Sequence, residues 1–251
     1  MAPQKIKQCR VSSAITHFKQ GFQNKWNLTD YKNSAEACVF VGVYSAADIA
    51  AIKAHRGFKV IIFCGRDIFN YNKFEGEDCY FVTGVFGEKL EMYGSRVKVF
   101  QISMKDYSEF KPVPLGDKIY CYMRSPDSRY SLNYSLLERI MKRMGKDRFL
   151  VGYLGNNMQT VVNKFYSKSF VNLQFNPVGG LTSVYEMAHM GRKSISNYSS
   201  PFTIGYEGED DIIRLIDIEA QKIGTIQAEV SEQAVNNLKS SDEWLFTEYY
   251  F

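Results

Sequence analysis

Asn176-Pro177-Val178-Gly179-Gly180-Leu181-Thr182-Ser183-Val184-Tyr185-Glu186-Met187-Ala188-His189-Met190-Gly191-Arg192-Lys193-Ser194-Ile195-Ser196-Asn197 follows an apolar run at 169–175. That run reads as a buried strand, Gly179-Gly180 as a tight turn, 182–190 as a short helix and 193–196 as the next strand. Strand, glycine turn, helix and strand in that order build a parallel sheet. Ligands of such sheets bind beyond the C-terminal strand ends, where loops meet helix N-termini. Two glycines let the backbone approach an anion with no side chain intervening. Thr182 and Ser183 either cap the helix or donate to a phosphate, and Glu186 lies one turn after Thr182 on the same face. Its carboxylate either accepts the hydroxyls of a nucleotide ribose or faces solvent as an ordinary helix acid.

The same rhythm extends in both directions. Toward the C-terminus, residues 210–223 form a helix with Ile212, Ile213, Ile216 and Ile223 near one face. Upstream, 118–123 and 148–153 read as strands, and 133–144 and 158–166 as helices. Lys111-Pro112-Val113-Pro114-Leu115-Gly116 reads as a linker, because its prolines oppose regular structure. Before it, 37–42 is a strand ending in glycine, 45–55 a helix, and 59–64 a strand running into Gly65-Arg66-Asp67. Further strands are expected at 82–85 and 97–102, after an N-terminal arm with a helix near 12–23. The expected organisation is two Rossmann-like domains, 1–113 and 114–240, with a tail at 241–251 packing toward the first.

A chain of 251 residues with 45% hydrophobic content can bury a substantial core. No apolar run reaches the roughly 20 residues that span a bilayer, and residues 1–10 lack the apolar core of a secretion signal. A soluble, cytoplasmic protein with no transmembrane segment is expected. Cys9, Cys38, Cys64, Cys79 and Cys121 are odd in number and widely spaced, without a CxxC pair. Buried thiols in a reducing compartment account for them better than disulfides or zinc. No His/Glu spacing suggests a metal cage. The net charge of +4 is spread along the chain without a basic stripe interleaved with aromatics, so no nucleic-acid partner is expected.

Two loops after strands carry further candidates. Arg124 or Arg129, in the 124–129 loop, can neutralise a diphosphate through paired hydrogen bonds or serve a surface ion pair. Tyr153 or Leu154 can contact a base with Asn156 on its polar edge, although turn formation also explains Gly155-Asn156-Asn157.

Val41-Gly42-Val43-Tyr44 with Asp48 following, the Gly65-Arg66-Asp67 loop, Arg124 and the Gly179–Asn197 stretch together resemble the GT-B glycosyltransferases. The likeness covers most of the chain and is greatest for small, divergent forms from bacteria and large DNA viruses. It implies an α/β, reduced GT-B architecture with two Rossmann-like domains facing an interdomain cleft, the first on the acceptor side. It also implies a donor diphosphate at Gly179, Gly180, Leu181, Thr182 and Ser183, and a donor ribose at Glu186. The implied donor substrate is a UDP-sugar or GDP-sugar, with no metal and no other cofactor. The implied partner is an acceptor hydroxyl on an oligosaccharide or glycoprotein glycan, in the host cytoplasm if the protein is viral. One departure concerns the Glu-x7-Glu pattern of retaining members: the position eight residues before Glu186 is Val178. Its absence weakens assignment to that subgroup without establishing inversion.

Transfer without a metal needs a general base and stabilisation of the departing phosphate. Asp67, directly after a strand and beside Arg66, leads the candidate bases, ahead of Asp48 and His17. Gly42 and Tyr44 line a sugar pocket or the acceptor entrance, with Tyr44 and an aromatic from Phe69/Tyr71 or Tyr80/Phe81 stacking on a sugar ring. The competing readings are a noncatalytic carbohydrate-binding or assembly protein with the same shell, and a nucleotide-sugar epimerase.

Overall fold

Residues 38–41 and 59–63 are buried at every position, a pattern that places strands inside a sheet covered on both faces. The computed structural model describes residues 6–74, 80–83, 97–99, 103–122, 134–152, 158–175 and 181–243. Arg124, Arg129, Tyr153, Gly179 and Gly180 lie outside them. The chain forms two compact units, one taking the residues up to Tyr107 and from Asn237 onward, the other Ser108–Pro177 and Leu181–Asn236.

The first unit holds strands Gln8–Val11 (β1), Thr29–Asp30 (β2), Cys38–Val41 (β3), Lys59–Phe63 (β4), Tyr80–Thr83 (β5) and Val97–Val99 (β6). Among the described residues they pair in the order β2-β1-β3-β4-β5-β6, and every pairing is parallel. Alternation along β3 and β4 sends Val39, Val41, Val60 and Ile62 toward Phe22 of helix Lys19–Trp26 (α1). Cys38, Phe40, Ile61 and Phe63 go the other way, toward Ile52 of helix Ala46–Ala54 (α2). Each fully buried aliphatic side chain contributes roughly 1.5–3 kcal/mol.

The residues expected as an N-terminal arm instead supply β1, paired on both edges by β2 and β3. Gln8 is buried there because its side-chain amide serves the 32–36 loop: Nε2 donates to Asn33 O and Glu36 O, and Oε1 accepts from Lys32 N and Asn33 N. The helix expected near 12–23 is split into a 3₁₀ turn at Ser13–Phe18, broken at Ile15, and α1.

The second unit contains Lys118–Tyr122 (β7), Phe149–Gly152 (β8), Ser169–Leu173 (β9), Lys193–Ile195 (β10) and Thr203–Ile204 (β11). They form a parallel sheet ordered β11-β10-β9-β7-β8. Helices Tyr134–Met144 (α3) and Glu209–Ala220 (α6) bring Leu137, Ile140, Ile212, Leu215 and Ile216 onto Ile119, Cys121, Leu173 and Ile195. Met158–Val161 (α4) runs into a π-helical turn, Val162–Tyr166. Helix Thr182–His189 (α5) buries every residue from Ser183 onward. Helix Ala228–Glu243 (α7) seats Val230, Ala234 and Leu238 at a four-residue spacing, and its chain passes from the second unit into the first at Asn237.

The 111–116 segment, read as a linker, is fastened to the second unit. Leu115 N donates to Thr225 O and Gly224 N donates to Leu115 O, each at 2.9 Å. The Arg192 guanidinium donates to Val113 O at 3.0 Å and Pro114 O at 2.8 Å.

Candidate functional site

The start of α5 is a helix N-terminus without a side-chain cap, since the N-cap position is the apolar Leu181. Thr182 is partly exposed there and Leu181 is buried. Ser183, 7% exposed, has an Oγ with no hydrogen-bond partner among the described residues. Glu186 follows on the same face and is buried, accepting a hydrogen bond at Oε2 from the Tyr166 hydroxyl.

Tyr166 closes the π-helical turn just before β9. Its ring meets Tyr120 of β7 edge-on, with centroids 5.0 Å apart, and the two hydroxyls are hydrogen bonded. Gly152 ends β8 beneath that pair, where a Cβ would run into the Tyr120 hydroxyl. Desolvation first, and then the charge of Glu186, push both phenols up, so each keeps its proton. Tyr120, Asn172 and Ser194 are register partners on β7, β9 and β10, so their side chains leave one face of the sheet. Asn172 Nδ2 donates to Ser194 Oγ at 2.8 Å, while Asn172 Oδ1 is unpartnered among the described residues. The sequence expectations included Thr182, Ser183 and Glu186 but missed Tyr120 and Tyr166. The signal available was two tyrosines inside otherwise apolar elements, where a buried hydroxyl requires a partner.

In the first unit, the loops after β1, β3 and β4 lie at the C-terminal edge of the sheet. Gly42 has φ +78°, and a Cβ there would lie 2.8 Å from Ile15 Cδ1 and 2.9 Å from the Tyr44 ring. Only glycine fits that backbone and that space. Asp67 is buried, with Oδ2 accepting from Val43 N at 2.8 Å and Oδ1 from Cys64 N at 3.0 Å. Desolvation raises its pKa against the lowering effect of those N–H donors. Asp48 completes a capping box with Ser45 at the start of α2 and also accepts from Ser12 Oγ at 2.7 Å. Both carboxylates therefore brace the loops at the sheet edge.

His17 differs from them in having an exposed ring, packed on Phe18 at 4.1 Å. Partial desolvation and the charge of Lys105 lower its pKa. Tyr44 and Phe69 are exposed, at 38% and 67%, and Asn70 Nδ2 ties the Phe69 turn to Val43 O. Tyr71 packs near Phe63, and the side chains of Tyr80 and Phe81 lie outside the described residues. His189 supports packing: its Nδ1 pairs with Tyr185 O, and its carbonyl accepts from Ser231 Oγ.

Among the described residues, no group of three or more His, Cys, Asp or Glu is placed to hold a metal ion. Nor is any described helix long and apolar enough to cross a membrane. Cys9, Cys38, Cys64 and Cys121 are free thiols, and burial pushes Cys9 to about 11 and Cys121 to about 12.

The GT-B-like fold is similar to that of two solved structures. Against the crystal structure of TarM the TM-score is 0.56 at 12% identity, covering 87% of this chain and 55% of TarM. Against the OtsA apo structure it is 0.52 at 9% identity, covering 92% of this chain and 80% of OtsA. The chain thus spans about half the length of the TarM chain that it matches. No protein-family model matches the sequence, and neither does any curated protein. At these identities the likeness is one of architecture: two parallel sheets flanked by helices, in a GT-B-like α/β fold.

Proposed function

We propose that the protein is a glycosyltransferase that binds a UDP-sugar or GDP-sugar at the start of α5 and transfers the sugar to a glycan hydroxyl. The observation that carries this reading is the uncapped α5 start, where the buried Ser183 hydroxyl lacks a described partner one turn ahead of the buried Glu186. Helix-start N–H groups and a serine hydroxyl suit a diphosphate, while a carboxylate one turn on suits the two hydroxyls of a ribose. Gly179 and Gly180 allow close backbone approach to the diphosphate, Arg124 or Arg129 pairs with its oxygens, and Tyr153 lies against the base. In this reading the protein's own donors carry the phosphate charge and no metal is required.

The acceptor oxygen attacks the anomeric carbon as the bond to the diphosphate oxygen breaks. The nucleotide diphosphate leaves with that electron pair, and a base takes the acceptor proton. Asp48 and Asp67 spend their oxygens on backbone N–H groups and hydroxyls, whereas the His17 ring is exposed. Its lowered pKa keeps the imidazole neutral, the form that accepts a proton. We therefore place His17 ahead of Asp67 and Asp48 as the base, with Gly42 and Tyr44 on the acceptor side.

Calorimetry with UDP, GDP and their sugar conjugates, with and without Mg²⁺, tests the donor site. One nucleotide series should bind without metal, and Glu186→Ala should weaken it by about tenfold or more. His17→Ala should leave donor binding intact and slow transfer by about 10²–10⁴-fold. Absence of nucleotide binding by the folded protein would sink the reading. A second reading, a noncatalytic carbohydrate-binding or assembly protein, is favoured by the loop-bracing roles of Asp48 and Asp67 and by Val178. Nucleotide binding without donor consumption would select it.

A further inference from the structure

We infer that Tyr166 is a positioning residue for ribose recognition, its hydroxyl holding the Glu186 carboxylate in the orientation that selects a ribonucleotide over its 2′-deoxy counterpart. The inference rests on the donor reading above. The terminal torsion of a glutamate is soft, so a carboxylate discriminates between neighbouring hydroxyls only when something fixes its plane. Tyr166 does so at Oε2 from a rigid base: it is 2% exposed, and it ends a π-helical turn locked by Ser167 N donating to Val162 O at 3.0 Å.

A phenol has one proton to give. Tyr166 gives its own to Glu186, and its hydroxyl is also hydrogen bonded to that of Tyr120, which is anchored in the middle of β7. Tyr120 thus backs the Tyr166 hydroxyl from the sheet, and Gly152 leaves the space that the Tyr120 hydroxyl needs. Ring packing alone does not account for this arrangement. The edge-on contact with Tyr120 would survive in a phenylalanine, whereas the hydroxyl is bonded to Glu186 and Tyr120. In a buried site each such hydrogen bond discriminates strongly, because a missing partner is not replaced by water.

The test is the affinity ratio of ribonucleoside to 2′-deoxyribonucleoside diphosphate, measured by calorimetry on the full chain. Wild type should prefer the ribonucleotide by about tenfold or more. In Tyr166→Phe the ratio should fall several-fold toward unity, while 2′-deoxynucleotide affinity stays within about twofold. A purely structural role would instead weaken both nucleotides together or neither, and either result overturns the inference. Tyr120→Phe, which removes the backing hydroxyl and leaves the Tyr166–Glu186 bond, should lower the ratio by less. That variant decides the matter should Tyr166→Phe not fold, and an unchanged ratio then overturns the inference. Wild type that binds neither nucleotide rejects the donor reading and this inference together. Wild type that prefers the ribonucleotide, with the preference intact in Tyr166→Phe, rejects the inference alone.

Discussion

Asp242 shows what a single buried carboxylate does to stability. It lies on α7 and accepts Ser103 N at 2.9 Å and Ser103 Oγ at 2.7 Å. Burial outweighs both donors and raises its pKa from 3.8 to about 6. The folded protein therefore binds this proton more tightly than the unfolded chain does. The resulting stabilisation is complete below the unfolded value and is lost as pH rises through about 6. A shift of that size is worth about 3 kcal/mol. Asp242→Asn keeps an acceptor for Ser103 N and cannot ionise. Urea denaturation across that pH window should show a flatter dependence for the variant, and higher stability than the parent near neutrality. An unchanged slope would mean that Asp242 does not carry the effect.

At the scale of elements, Arg192 does the joining. Its fully buried guanidinium donates to Ser169 O at 3.1 Å, to Val113 O, Pro114 O and Ser167 O, and to Met190 O. Those carbonyls belong to the end of α5, the end of the π-helical turn, the start of β9 and the proline segment, so one side chain closes four boundaries. Burial lowers its pKa to about 10, and it remains charged near neutrality. Arg192→Met strands these acceptors in a dry interior and should cost about 3 kcal/mol or more in chemical denaturation. Arg192→Lys should recover less than half of that, because an ammonium cannot reproduce the planar fork. A methionine variant within about 1 kcal/mol of the parent would contradict this account.

For the whole molecule, the division into two units makes the donor reading spatially specific. Hydrogen exchange with saturating UDP or GDP should slow amides at the start of α5, in the Val162–Tyr166 turn and along β7, all in the second unit. At a hundredfold excess over Kd, binding adds about 2.7 kcal/mol, which limits the slowing to about a hundredfold. Amides of β1, β3 and β4 should exchange at their original rates in the absence of an acceptor. Protection confined to the first unit would place the nucleotide elsewhere.

Local pattern revealed elements whose burial is recorded in their own residues. Residues 38–41 and 59–63 are apolar enough to declare strands, and the strand and helix pattern around α5 placed Thr182, Ser183 and Glu186 at a helix start. Gln8-Cys9-Arg10-Val11 carried no such record, because a buried Gln8 is tolerable only once the 32–36 loop has closed over it. The two-residue strands β2 and β11 exist through their neighbours' pairing. Tyr120 and Tyr166, distant in the chain, meet each other through the pairing of β7 with β9 and one π-helical turn, and Tyr166 thereby reaches Glu186. The carbonyls of Arg192 converge from Val113 to Met190 in the same way. Sequence alone determined which faces are buried, since hydrophobic periodicity is local. Tertiary structure alone decided which buried polar groups are partners, since that depends on long-range closure of the chain.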